Sequence, residues 1–334
     1  MRKVLITSNS EYRIKPYSKI KSDDIEFTLC GTLIHDPFKY DAILLHQPIT
    51  PIFPQMIQDL QSEGKKVVVD VDDNILDIPY QNDSFDQVNS NNNRKTFLEC
   101  IRLCDYVHVS TPELRTKLKK SYKTTVFYNG IDLSLYGEKD NSVRAEYNIP
   151  DDHKIVMWAG SPTHADSVIL IIPLIEELIK RGDVTVVLCS NELWMKSYFP
   201  HGVPDNVKII GYLSFDRYTK LLGIADVFLA PLPHNAFNEC KSELKALESG
   251  AHKVPCVASS VAPYNRFKEL SGEGIRIVAK ERLNLWLKEV DKLLTNEMMR
   301  RITGEVAHMT IQTHYNIETI NQDRIKFWKR ILTD

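Results

Sequence analysis

The chain has 334 residues, a length that suits about two domains. Its composition, 43% hydrophobic and 26% charged with a formal net charge of −2, lacks the global basic field that would point to nucleic acid. Six scattered cysteines show no Cys-x-x-Cys pair and no metal-like spacing with histidine, so free thiols in a reducing compartment are expected.

The N-terminal apolar run is too short for a signal peptide and no run approaches a membrane span, which predicts a cytoplasmic protein. Lys3 to Thr7 reads as a first buried strand. The segment after it, SNSEYRIKPYSKI, contains no Gly-x-Gly-x-x-Gly, so a dinucleotide fingerprint is absent. Further strands are predicted over 25–30 and 42–46. His46 and Gln47 close the second of these, at the sheet edge where ligand loops lie, although His46 reads equally as a strand-end residue satisfied by backbone. A helix over 53–63, ended by Gly64, leads to a strand from Lys66 that finishes in Asp70, Asp72 and Asp73. Such a cluster suits turn capping or a hard cation; no metal is assigned.

Residues 81–94 are polar and Asn-rich and read as a loop, either a lid or a surface insertion. A helix over 96–103, a strand over 106–110, a helix capped by Thr111 with Pro112 at its first position, and a strand over 125–128 complete the first half. The basic run Arg115, Lys117, Lys119, Lys120 and Lys123 reads as a solvated helix face or as a contact for a phosphate backbone.

A polar stretch over 140–152 is the expected linker. The second half opens with a strand over 154–159, then Gly160-Ser161-Pro162-Thr163-His164 entering a helix over 167–181. Strands over 185–190 and 207–213 follow, and a helix over 216–224 leads into the most informative stretch. There, a buried strand (227–232), a polar loop, a helix from about Ser242 and a second strand (255–259) make the pattern of a parallel sheet with a crossover helix. Leu244, Leu247 and Ala251 form its core face; Asn238, Lys241, Lys245 and Glu248 share a second face if the helix starts early. That face reads as a solvated Lys245–Glu248 pair or as a ligand site. Its position favours the ligand, because open parallel sheets bind ligands outside the carboxyl ends of their strands. Lys241 adds a cation where a helix N-terminus already favours an anion, and Glu248, about two turns deeper, suits a pair of vicinal hydroxyls. Phosphate above and diol below describe a nucleoside diphosphate. A last strand over 272–278, helices over 281–295 and from 296 onward, and a terminal helix over 315–332 end the chain.

The segment K-S-E-L-K-A-L-E-S-G-A followed by V-P-C-V-A-S resembles the donor-site helix of nucleotide-sugar glycosyltransferases of the GT-B architecture, in particular the large retaining group, family 4. The resemblance implies an α/β fold of two Rossmann-like domains facing a cleft. Residues 1–140 would form the acceptor side, 141–312 the nucleotide-sugar domain, and 313–334 a helix crossing back to the first domain. In that family two glutamates eight positions apart mark this helix. Glu248 matches the second, which binds the donor ribose; the first falls on Cys240, a departure, with Glu239 beside it.

Carried onto this sequence, the resemblance places Arg13 at the cleft, the loop Gly160, Ser161, Thr163 and His164 against the donor phosphates, and Tyr212 near the base. Asn238, Ser242 and Lys245 would line the donor site, Lys241 would stabilise the departing diphosphate, and Asp72 and Asp73 would face the acceptor. The implied reaction is metal-independent transfer, with retention, from a nucleoside-diphosphate sugar (UDP-sugar foremost) to an acceptor hydroxyl. A glycan, a small molecule or a hydroxymethylated DNA base would serve as acceptor, the last by analogy with short GT-B enzymes of bacteriophages, and a monomer or weak dimer is expected. Two rivals stand beside it. An inverting transferase would use Asp72, Asp73 or His46 as base. A sugar-nucleotide epimerase or a non-catalytic GT-B binding protein would explain the broken glutamate pair.

Overall fold

The computed structural model describes residues 1–8, 10–31, 36–82, 84–90, 92–118 and 123–333. Strands β1 (Arg2–Ile6), β2 (Ile25–Leu29), β3 (Ala42–His46), β4 (Lys66–Val71), β5 (Tyr106–Val109) and β6 (Thr124–Val126) form one parallel sheet in the order β2-β1-β3-β4-β5-β6. Strands β7 (Lys154–Ala159), β8 (Val184–Cys189), β9 (Val207–Ile210), β10 (Val227–Ala230), β11 (Cys256–Ser259) and β12 (Arg276–Val278) form a second, in the order β12-β11-β10-β7-β8-β9. The second order is that of a dinucleotide-binding Rossmann sheet, whose ligand crevice lies where the strand order reverses. Here that point falls between β7 and β10, the two strands that carry the Gly160 loop and the Lys241 loop.

Helices cover both faces of each sheet, which is why the strands read as unbroken apolar runs. Alternate residues go to opposite cores. Leu5, Ile43, Leu45, Val67 and Val69 pack on one side of the first sheet, and Val4, Ile6, Ala42, Leu44 and Val68 on the other. In the second sheet Ile155 and Met157 belong to one core and Val156 and Trp158 to its opposite.

The chain passes between the halves twice, side by side. Ile131 N donates to Tyr315 O (2.8 Å) and Ile317 N to Ile131 O (3.0 Å). Gly130 is required by this approach, since a Cβ there would lie 2.7 Å from Ile317 Cδ1. The terminal helix Ile317–Thr333 then lies on the first domain, placing Phe327, Trp328 and Ile331 in one buried cluster with Val4 and Ile6. Arg324 Nη2 donates to Arg13 O (3.1 Å), and Asn321 Nδ2 to Pro16 O (3.0 Å).

Three local expectations change. The helix expected from Ser242 begins at Leu244, after a 3-10 turn Asn238–Cys240 closed by Lys241 N donating to Asn238 O. Lys241 is therefore extended (φ −65°, ψ 162°), and Asn238 and Lys241 do not share a helix face with Lys245 and Glu248. The 81–94 segment contains a short helix, Phe85–Asn89, and the start of the helix Asn93–Leu103. The helix after the Gly160 loop spans Ala165–Leu178 and keeps Pro173 inside it. In the basic run, Lys119 and Lys120 lie outside the described residues, while Lys117 is paired with Asp77 at 2.5 Å. Among the described residues no helix is long and apolar enough to cross a membrane, and the six cysteines are free.

Candidate active site

The first domain presents the end of β4 to the cleft. Asp70 is buried, and Arg13 grips it with Nε at 2.9 and 3.0 Å and Nη2 at 2.5 Å while also donating to Phe127 O. Burial alone would raise the Asp70 carboxyl; Arg13 and His46 outweigh it and hold it well below the usual carboxylate range. This corrects the expected position of Arg13. It is only 1% exposed and sits inside the first domain, because a buried carboxylate needs its cation there. His46 Nδ1 lies 3.0 Å from Asp70 Oδ2 and its Nε2 3.6 Å from Asp72 Oδ1. Burial pulls the imidazole down, but Asp72 and Asp70 outweigh it, and His46 titrates above its ordinary value. Gln47 Nε2 donates to Asp72 Oδ1 at 2.5 Å, and burial pushes the Asp72 carboxyl up.

The second domain supplies the loop after β7 and the segment from Pro233 to Ala251. Lys245 Nζ donates to Ala159 O at the carboxyl end of β7 and lies 5.6 Å from the Trp158 ring centre. Burial lowers its ammonium pKa, so an anion brought beside it would be strongly favoured. Glu248 is buried (7% exposed), and burial raises its carboxyl despite two phenols that donate to it: Tyr12 Oη at 2.5 Å and Tyr218 Oη at 3.2 Å. Lys241 crosses to the first domain, with Nζ 3.3 Å from Asp73 Oδ1 and 4.4 Å from the Phe237 ring centre. In the Gly160 loop, Ser161 Oγ and Thr163 Oγ1 share a hydrogen bond at 2.6 Å. Burial, then Lys245 and Lys241, depress His164 well below its ordinary value, so it is a neutral imidazole.

Asn238 does not reach the cleft. Its amide donates to Pro233 O at 2.9 Å and the side chain is 2% exposed, holding the turn that replaces the expected first helical residues. Glu239 is also committed elsewhere: it accepts from Ala262 N at 2.8 Å and lies 2.9 Å from His234 Nδ1. Cys240 points into the first domain and belongs to the same buried cluster as Ile75, Leu114 and Leu118.

The remaining candidates, apart from Ser161, line three chambers that share walls. The first, about 630 Å³, has Gly160, Tyr212, Leu213 and Tyr218 around it, with Lys245 and Glu248 at its inner end. The second, about 670 Å³, shares Lys245 and Glu248 and adds His164, Ser242, Lys241 and Asp73. The third, about 870 Å³, shares Lys241 and Asp73 and extends to His46, Gln47 and Thr163. Gly160, His164 and Thr163 thus place one loop against all three chambers. Sequence reasoning missed Asn129, whose amide donates to Ser242 Oγ at 2.9 Å, and Asn82, whose amide donates to Thr163 O at 3.2 Å. Among the described residues no group of three or more His, Cys, Asp or Glu is disposed to hold a metal ion.

Two facing Rossmann-like domains, tied by a helix that crosses back and enclosing these chambers, define the GT-B architecture, the fold of nucleotide-sugar glycosyltransferases. Residues 153–296 match the family described as glycosyl transferases, group 1. An uncharacterised glycosyltransferase of Methanocaldococcus jannaschii is 24% identical over 218 residues, 62% of this chain; the chain spans 54% of that relative's length. Among solved structures, sucrose-phosphate synthase from Thermosynechococcus elongatus superposes with a TM-score of 0.75 at 14% identity, covering all of both chains. HepE of Anabaena, solved with UDP-glucose, gives 0.70 at 15% identity over 99% of this chain and 100% of its own.

Proposed function

We propose that the protein is a glycosyltransferase that moves a sugar from a nucleoside-diphosphate sugar, foremost a UDP-sugar, to an acceptor hydroxyl. The run of three connected chambers carries this reading, because its lining changes in the order such a donor requires. Backbone and ring surfaces at Tyr212 and Leu213 suit a base. Glu248 suits the ribose diol, and Lys245, Lys241 and the neutral donors of the Gly160 loop suit a diphosphate. Asp73 and His46 begin the acceptor side. The structure of HepE with UDP-glucose, a protein of the same fold, supports the choice of UDP.

As the glycosidic C–O bond breaks, negative charge grows on the departing diphosphate. Lys241 would exchange Asp73 for that charge, and Lys245 would gain from it most, having been desolvated in advance. The three aspartates do not ask for a divalent cation. Asp70 is satisfied by Arg13 and His46, Asp72 by Gln47 and His46, and Asp73 by Lys241. Transfer is expected without metal and, following the family resemblance, with retention. Calorimetric titration with UDP, GDP, ADP and their sugar conjugates, with and without magnesium, tests the donor site. One diphosphate should bind irrespective of magnesium and lose its binding in Glu248→Ala; binding by none of them would leave a ligand-free GT-B scaffold.

One observation favours a second reading, an inverting transferase. His46 lines the chamber of the acceptor with Nδ1 held by Asp70 and Nε2 3.6 Å from Asp72 Oδ1, a carboxylate-oriented imidazole of the kind that serves as a general base. NMR assignment of the product anomer decides between the two, and loss of turnover in His46→Gln with an inverted product would establish the second.

A further inference from the structure

The third chamber differs in character from the two beside it. Its lining combines neutral hydrogen-bonding groups, Gln47 just after β3 and Asn82, Ser84 and Gln87 from the Asn-rich segment, with the aliphatic side chains of Ile49, Ile75, Ile78 and Val88 and the Phe237 ring beside Lys241. Among the described residues the Gln87 amide and the Ser84 hydroxyl make no hydrogen bond within the protein, so both can turn to a ligand. Amides offer two donors and an acceptor, hydroxyls one donor and two lone pairs, which is the complement of a polyol.

Charge narrows the ligand further. The cations on this lining are Lys241 and the readily protonated His46, and each already faces carboxylates, Asp73 for the first and Asp70 and Asp72 for the second. With the donor diphosphate bound, Lys241 would be engaged by it, so a phosphate entering here would meet a His46 already facing Asp70 and Asp72 and would approach Asp73, a like charge. Among the described residues the basic run that might hold a phosphate backbone contributes no side chain to this lining, and its Lys117 is bound to Asp77.

We propose that this chamber binds a neutral saccharide as acceptor, its hydroxyls held by Gln47, Ser84 and Gln87 and its C–H face laid on Ile75, Ile78 and Phe237. The inference rests on the transferase reading of the cleft, and it excludes sugar phosphates and modified DNA as the preferred acceptors.

The test is titration of the full chain, with UDP already saturating, by neutral methyl glycosides and disaccharides, the corresponding sugar phosphates, and a duplex containing hydroxymethylcytosine. At least one neutral saccharide should bind, and Gln87→Ala should weaken it roughly tenfold, the loss of a hydrogen bond left unmade. Binding of UDP, measured first in the same protein, should be unchanged. Gln87→Lys should turn preference toward the sugar phosphate, and thermal unfolding of each variant reports its fold. Binding of a sugar phosphate or the duplex in place of neutral saccharides overturns the proposal, as does saccharide binding indifferent to Gln87 and Ser84. Failure of UDP itself to bind would strike the donor reading instead, and saccharide titration without UDP would still report on the chamber.

Discussion

Lys241 Nζ reaches across the cleft to within 3.3 Å of Asp73 Oδ1, joining the loop after β10 to the end of β4. The pair sits on the wall shared by the second and third chambers, so the cation that would meet a departing diphosphate rests on the acceptor-side carboxylate. Lys241→Ala should lower kcat on the order of 100-fold, the usual loss when one charge-stabilising donor is removed. Lys241→Arg should restore part of it. Steady-state kinetics with UDP-sugar decide; a folded Lys241→Ala protein with normal kcat would place the chemistry elsewhere.

Glu248 meets Tyr12 from the first domain and Tyr218 from its own, one phenol on each carboxylate oxygen. Ribose hydroxyls must share or replace these partners. Glu248→Ala should weaken UDP binding by roughly 10- to 100-fold, the range for hydrogen bonds to a charged group. Tyr12→Phe should tighten it about threefold or more by removing a competitor. Weaker binding in Tyr12→Phe would mean that the phenol orients Glu248 rather than competing for it.

His108 is fully buried on β5 between Phe127, Phe327 and Trp328, and neither ring nitrogen has a hydrogen-bond partner among the described residues. Burial pulls its pKa down to about 3. The unfolded chain therefore binds a proton that the folded chain refuses between the ordinary imidazole value of 6.5 and about 3. The stability from His108 is complete above that window and is lost as pH falls through it. His108→Phe should flatten the fall in Tm on acidification from neutral pH to about 5, a window read from this depressed titration. An unchanged slope would assign the acid sensitivity to another group.

Cys240 stands where the resemblance expects a sugar-binding glutamate, yet its thiol is buried with Leu114 and Leu118, and its carbonyl accepts from Thr111 Oγ1 at 2.9 Å. Cys240→Glu should not create a sugar contact. It should cost about 3 kcal/mol or more by burying a charge between the domains. Urea unfolding measures this, and an undiminished midpoint would show that the glutamate turns into the cleft.

The sheets were legible because their central strands are buried on both faces and read as apolar runs, as in β7, β10 and β11. Lys245, Glu248 and the Gly160 loop were legible from their place after strands of a parallel sheet. Contacts across the cleft were not. Tyr12 and Glu248 are 236 positions apart, Lys241 and Asp73 168, and nothing local in either segment names the other. Arg13 was placed at the cleft by the family resemblance, and its partner Asp70, 57 positions away, is a carboxylate that β4 carries into the interior. Asn238 was placed on a helix that starts six residues later, after a turn whose geometry depends on its own amide bond to Pro233.

The two passages of the chain between the halves lie against each other at Ile131 and Asn316, with glycine at 130 permitting the contact. They act as the spine of a book rather than as two separate straps. Covers on a single spine would part together: a swing that freed a bound nucleotide would also break the Lys241–Asp73 contact and open the third chamber. Departure of one product and admission of the next acceptor would thereby become a single event.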